Sequence, residues 1–323
     1  MAARGAKTFP GLSGVDRVNT AICTLFEGDY HYGVGVLANS FYAHGFRGTI
    51  YAGYRGSLPP WLSGAKEVNG FTEFSPADGL VIRFIPLATK LHLTNYKPEF
   101  MLELWEKHCP QAESLFYFDP DITIKCRWTF FEEWIEAGVA VCQDINGWMP
   151  DNHPIRYAWR KQLSPLGLEF RTRFDAYFNG GFVGVLARDR AFLKDWERVQ
   201  ALMHQIGVDF FSIGFGDRTL PFVCRDQDAL NITCMTTERK ISYMGQDAMD
   251  FQHGYVMTHA VGGIKPWRKK MLVNTIMNGE APSLADKRFY AFARHPISVF
   301  SGASFSFRKI DLLFASAIGR YIG

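Results

Sequence analysis

Residues 115–118, Leu-Phe-Tyr-Phe, run directly into Asp119-Pro120-Asp121 and then Ile122. The apolar, β-prone run reads as a buried strand, and the two carboxylates fall where that strand ends. In an open α/β sheet, ligands bind beyond the carboxyl ends of the strands. Two aspartates on a turn there form a hard-oxygen site suited to Mg²⁺ or Mn²⁺, and Pro120 stiffens the turn by fixing its own φ. Such an ion usually serves phosphate chemistry, because it neutralises phosphate charge. On its own, an Asp-x-Asp is more often a pair of turn formers or helix caps.

A second segment shifts that balance. Val256-Met257-Thr258 is again short and strand-like, and it ends in His259, followed by Gly262, Gly263 and Lys265-Pro266-Trp267. A neutral imidazole completes the coordination of a borderline ion such as Mn²⁺. The glycines let the backbone approach a ligand closely, and Lys265 places a point charge on a phosphate. Histidine, glycine and lysine in this order build a clamp for a metal diphosphate.

Asp119-Pro120-Asp121 together with His259, Gly262 and Lys265-Pro266-Trp267 resembles the retaining glycosyltransferases of the glycogenin and lipopolysaccharide galactosyltransferase type, called family 8. Further likenesses follow in order from about residue 20 to residue 267. Residues 24–30, with Thr24, Phe26 and Tyr30, resemble the family's first strand and nucleotide loop. Thr89-Lys90-Leu91-His92 resembles the segment carrying a lysine near the donor. Phe178-Asn179-Gly180-Gly181 resembles its Phe-Asn-(Ser/Ala)-Gly motif, with Gly180 where the family often has Ser or Ala. Asp226-Gln227-Asp228-Ala229-Leu230-Asn231 resembles its Asp-Gln-Asp-x-Leu-Asn motif.

The resemblance implies a GT-A (Rossmann-like) α/β fold, a nucleotide-sugar donor, usually a UDP-sugar, Mn²⁺ (or Mg²⁺), and retention at the anomeric carbon. Asp119, Asp121 and His259 are then the metal ligands, with Asp119 also reaching the ribose. Asp226 and Gln227 stand beside the anomeric carbon as the catalytic candidates. Thr24, Phe26, Tyr30, Lys90, Asn179, Gly180, Asp228, Gly262 and Lys265 contact the donor. For Tyr30 this means stacking on the base, for Lys265 holding the diphosphate. Each has a structural alternative: Tyr30 as core, Lys90 on a helix first turn, Asn179 and Gly180 as a turn, Asp226 to Asp228 as a helix start complementing its dipole.

Two other functions fit an α/β chain of this kind. A nucleotidyltransferase usually opens with a glycine-rich, basic phosphate loop, whereas residues 26–30 are acidic and aromatic. A non-catalytic nucleotide-sugar-binding protein would not need both aspartates and the histidine. The acceptor is expected to be a glycan, lipid-linked or protein hydroxyl, with bacterial surface polysaccharide or lipopolysaccharide synthesis as the setting. A net charge of +3 is too small to argue for nucleic acid. Six cysteines without a C-x-x-C pair read as reduced, buried thiols in a cytoplasmic protein. Residues 1–16 hold no apolar signal-peptide core, and no stretch approaches a membrane span.

Strands are expected at 18–26, 49–54, 79–85, 115–118, 139–143 and 177–187, with helices at 33–44, 99–108, 128–137 and 188–204. Residues 57–70 read as a loop, and 144–170 as a long excursion rich in Pro, Asn and aromatics. A catalytic domain over 17–267 and a helical extension over 268–323 follow. In the last helix, 306–322, Phe307, Ile310, Leu313, Phe314, Ala317, Ile318 and Tyr321 recur at spacings of three and four. That apolar face either packs on the main domain or, with Arg308, Lys309 and Arg320, makes peripheral contact with the inner face of a membrane.

Overall fold

The computed structural model describes residues 19–214 and 216–322. The expected loose segment 1–16 and the first expected strand residue, Val18, lie outside them. The chain forms β1 (Thr20–Glu27), α1 (His31–Ala43), β2 (Gly48–Arg55), β3 (Lys66–Val68), β4 (Phe71–Ala77), β5 (Leu80–Pro86) and α2 (Lys97–Glu103). Then come β6 (Ser114–Phe118), β7 (Ile122–Ile124), α3 (Thr129–Ile135), β8 (Val139–Trp148), α4 (Pro154–Leu163), β9 (Ala176–Leu186) and α5 (Ala191–Gln205). The remainder is α6 (Arg225–Thr236), β10 (Ile241–Met244), β11 (Met257–His259), α7 (Met271–Asn278), α8 (Leu284–Ala291) and α9 (Gly302–Ile322).

Nine strands form one sheet in the order β10-β8-β9-β6-β1-β2-β5-β4-β3. The pairings make every strand but β4 and β9 run in the same direction. Helices cover both faces, and the buried residues fall into two clusters either side of the sheet. Phe116 and Phe118 of β6 face one, and Leu115 and Tyr117 face the other. This two-sided burial is why β6 and β9 read as continuous apolar runs rather than alternating ones. Residues of the C-terminal segment, among them Met271, Phe289, Phe300 and Leu312, share a cluster with α1 and β6.

Three local expectations need correcting. The 57–70 segment is not all loop: β3 and β4 form a hairpin across Asn69 and Gly70, both at positive φ. Asn-Gly between two strands is a strong hairpin signal, and a three-residue strand was too short to show a period. The excursion at 144–170 is not irregular either. Strand β8 continues to Trp148, and α4 follows, opened by Pro154 and capped by the His153 ring accepting from Ile155 N–H. Finally, α9 packs through the stripe that sequence periodicity did not select. Phe305, Leu312 and Ala315 are buried, whereas Phe307, Ile310, Leu313, Phe314 and Tyr321 face solvent. Gly319 permits this seating, since a Cβ there would stand 2.5 Å from that of Ala281.

Candidate active site

Strand β6 delivers Asp119 and Asp121 to the sheet's carboxyl edge. The turn between them is held by Asp119 N–H donating to Gly181 O (2.8 Å) and by Ile122 N–H donating to Asp119 O (3.1 Å). Helix α1 presses on it through Gly33, where a Cβ would meet Pro120 O at 2.3 Å. After the turn, β7 pairs antiparallel with β11 so that His259 lies opposite Ile122. A buried Lys125–Asp250 pair (2.7 Å) ties the β7 side to the segment that precedes β11.

This pairing gathers the three expected metal ligands. One donor atom from each of Asp119, Asp121 and His259 lies within 4.8 Å of the others. His259 Nε2 is 3.3 Å from Asp121 Oδ1 and 3.9 Å from Asp119 Oδ2. Atoms so spaced can share an ion at about 2.0–2.6 Å from each, and oxygen with imidazole suits Mn²⁺ or Mg²⁺. Burial opposes ionisation of Asp121, but the His259 imidazole and the Lys265 ammonium outweigh it and hold its carboxyl well below the usual carboxylate range. Lys265 Nζ donates to Asp121 Oδ2 (2.6 Å) and to Ala260 O (2.9 Å).

Behind the metal ligands lies a second charged cluster. Its centre is Lys97, the first residue of α2, whose side chain is 1% exposed. Its Nζ stands 3.3 Å from Asp119 Oδ1 and 3.2 Å from Asp226 Oδ2, and donates to Gly180 O (2.7 Å). Burial lowers the lysine's proton affinity, but Asp119 and Asp226 more than reverse this and its pKa is raised. Tyr117 OH also donates to Asp119 Oδ1 (2.8 Å). Lys97 is not among the site residues expected from the sequence. One signal was available, since a cation at the positive end of a helix calls for anionic partners elsewhere. Lys90, the lysine expected near the donor, is exposed on the connection that follows β5 and does not line the pocket.

The glycine-rich centre of β9 brings these groups together. Gly180 N–H donates to Gln227 Oε1 (2.9 Å), and a Cβ on Gly180 would stand 3.0 Å from Asp226 Oδ2. At Gly181 a Cβ would meet His259 Cε1 at 2.6 Å and Asp119 Oδ2 at 3.0 Å. Asn179 donates to Asp144 Oδ2 (2.7 Å), a buried carboxylate absent from the sequence reading. Asp226 and Gln227 occupy the first turn of α6. Asp228 is turned away from them, accepting from Tyr177 OH (2.7 Å) and Cys224 N–H (2.9 Å).

A cavity of about 320 Å³ opens onto this arrangement, lined by Phe26, Tyr30, Asp119, Asp121, His259 and Lys265 among others. That size suits a small organic ligand. Gly262 lines it at φ +105°, a conformation that favours glycine. Tyr30 is clamped edge-to-face on Trp267, with ring centroids 5.3 Å apart, and under the Arg268 guanidinium, which pairs with Asp29. Thr24 is buried in β1 and does not line the cavity. A wider open depression of about 780 Å³ along residues 164–173 shares no residue with this site and gathers no comparable group.

No family profile and no characterised protein sequence matches the chain. Solved structures do. The bifunctional glycosyltransferase WbbM, in its apo form, superposes with a TM-score of 0.57 at 14% identity over 92% of this chain. The chain spans about half of WbbM, 53% of its length. The chain has the GT-A glycosyltransferase fold. An active-site mutant of LgtC superposes with a TM-score of 0.52 at 13% identity, covering 88% of this chain and 98% of LgtC. Among the described residues no helix is long and apolar enough to cross a membrane.

Proposed function

We propose that this protein is a metal-dependent glycosyltransferase that moves a hexose from a nucleotide sugar, a UDP-sugar, to a hydroxyl acceptor on a glycan, with retention at the anomeric carbon. The observation that carries this reading is the convergence of Asp119, Asp121, His259 and Lys265 on one pocket at the carboxyl edge of a GT-A sheet. Asp119, Asp121 and His259 would hold Mn²⁺ or Mg²⁺, which neutralises charge on the departing nucleotide diphosphate. Lys265 lines the same pocket and offers its ammonium to the same diphosphate, so the leaving group departs without a general acid. Tyr30, fixed by Trp267 and Arg268, supplies an aromatic face for the base.

Asp226 and Gln227 are assigned to the sugar. Gln227 Oε1 accepts from Gly180 N–H, which orients the side chain and leaves its NH₂ group to donate. It serves as a hydrogen-bond donor to an oxygen of the sugar or acceptor, and as a neutral amide it is no base. Lys97 holds the Asp226 carboxylate in place and keeps it beside Gly180. Surface polysaccharide or lipopolysaccharide assembly is the setting that the resemblance of its motifs to the lipopolysaccharide galactosyltransferase type implies.

A screen of UDP-, GDP- and ADP-sugars with Mn²⁺ tests this reading. One donor should release its nucleotide diphosphate, and excess EDTA or Asp121→Ala should stop the release. No release from any donor, or full turnover by metal-stripped protein in EDTA, overturns it.

A further inference from the structure

Helix α9 carries two apolar stripes. One is buried against the body. The other, Phe307, Ile310, Phe314 and Tyr321, recurs at steps of three, four and seven residues and faces solvent; Phe307 is 74% and Tyr321 91% exposed. A surface helix ordinarily has one apolar stripe and buries it, and a contiguous exposed patch of this kind marks an interaction surface. Helix α7 lies alongside in the same direction. Asp311 accepts from Met271 and Leu272 N–H at its start, and Gly319 approaches Thr275 near its end. It too exposes apolar residues, Val273, Ile276 and Met277.

The charge of this face is mainly positive. Lys270, Lys309 and Arg320 are exposed, and among the described residues none has a carboxylate partner. Of the nearby carboxylates, Asp311 is held at the start of α7, Asp286 pairs with Lys269 (2.9 Å), and Glu280 accepts from Asn274 (3.0 Å) and keeps its charge. The face is also continuous with the pocket. Val261 and Gly262 line both the pocket and a groove of about 400 Å³ that runs past Arg268 and Lys270 to Val273 and Met277. Arg308 donates to Trp267 O (2.8 Å), fastening α9 to the residue that clamps Tyr30.

We propose that the α7–α9 face docks this protein on an anionic lipid bilayer, with α9 lying in the interface. A second copy of the chain is the poorer occupant. Two-fold pairing sets the same patch against itself, so the cation-bearing face of one copy would meet the cation-bearing face of the other. An anionic bilayer supplies the missing negative charge and takes up the aromatic stripe. Docked so, the pocket mouth sits beside the lipid surface. The proposal does not rest on the transfer reaction, and its test needs neither donor nor acceptor.

The test is flotation of the full chain with vesicles of phosphatidylcholine alone or mixed with phosphatidylglycerol, at low and high salt, with the oligomeric state measured in parallel. The expected result is a monomer that floats with the anionic vesicles and is released by salt. Replacing Phe307→Ser together with Phe314→Ser should cut binding by about tenfold or more while the melting curve is unchanged. If that pair unfolds the protein, Lys309→Glu with Arg320→Glu should abolish the anionic preference instead. A monomer that ignores anionic vesicles at low salt, or binds both vesicles equally, overturns the proposal. So does a dimer that the serine pair dissociates and that binds no lipid. A failed donor screen leaves it standing, and its own failure leaves the transfer reading standing.

Discussion

Lys265 Nζ lies 2.6 Å from Asp121 Oδ2, so the lysine and a divalent ion draw on the same carboxylate. The ammonium repels the ion while it holds the ligand, and it serves best once negative charge builds on a leaving diphosphate. Lys265→Ala should therefore bind Mn²⁺ at least as tightly as the parent protein, yet release nucleotide diphosphate about a hundredfold more slowly at saturating donor. Calorimetric Mn²⁺ titration and steady-state rates check the two halves separately. An unchanged rate would remove Lys265 from the reaction.

Lys97 neutralises two carboxylates inside the protein. Taking away one partner of a buried charge cluster leaves the others uncompensated, at a cost of about 3–5 kcal/mol. Lys97→Met should lower stability by about that amount and abolish donor turnover, because Asp119 and Asp226 then repel each other across the sugar site. Denaturant melts give the first quantity. A variant as stable as the parent would show that the carboxylates relax apart at little cost.

Gly181 sets how closely β9 approaches the metal ligands. Gly181→Ala puts a methyl group 2.6 Å from His259 Cε1, so the imidazole must move. Displacing a ligand's support commonly costs tenfold to a hundredfold in metal affinity. We expect Mn²⁺ affinity to fall by about that factor with the fold retained by circular dichroism. Unaltered affinity would mean that His259 does not bind the ion.

Burial pushes the Asp228 carboxyl up to about 7, against the opposing hydrogen bonds from Tyr177 OH and Cys224 N–H. The folded state thus holds this proton more tightly than the unfolded chain, whose aspartates titrate near 4. The contribution is fully present below about pH 4 and is lost as pH rises through 7, in all on the order of 4 kcal/mol. Asp228→Asn keeps an acceptor for Tyr177 and removes the titration. Its urea stability should be flatter than the parent's between those limits. Identical slopes for the two proteins would place the proton elsewhere.

The order of strands and helices and the positions of Asp119, Asp121, His259 and Lys265 could be read from the sequence because each lies at the end of a short apolar run. Strand ends are local events, and the sheet then brings them to one edge. The clusters at Asn179 to Gly181, in the middle of β9, and Asp226 to Asp228, at the start of α6, were legible only through their resemblance to family motifs. Lys97 was not. It stands alone before a proline, and only the packing of α2 against α5 and β6 brings it to Asp119 and Asp226. Asp144 escaped notice likewise, because its partner Asn179 is supplied by a neighbouring strand.

The C-terminal helix shows the same division. Sequence alone determined that 306–322 is helical and apolar along Phe307, Ile310, Phe314 and Tyr321. It could not determine which side meets the protein, because Phe305, Leu312 and Ala315 form a second, sparser stripe. Tertiary structure decided that through fit. Gly319 and Ala315 are small enough for α9 to settle closely, and the fixed position of Trp267 gives Arg308 a carbonyl to hold. Periodicity measures how much apolar surface a helix face carries. Which face is buried depends on the shape and hydrogen-bonding groups of the surface it meets, and those are assembled from residues distant in the chain.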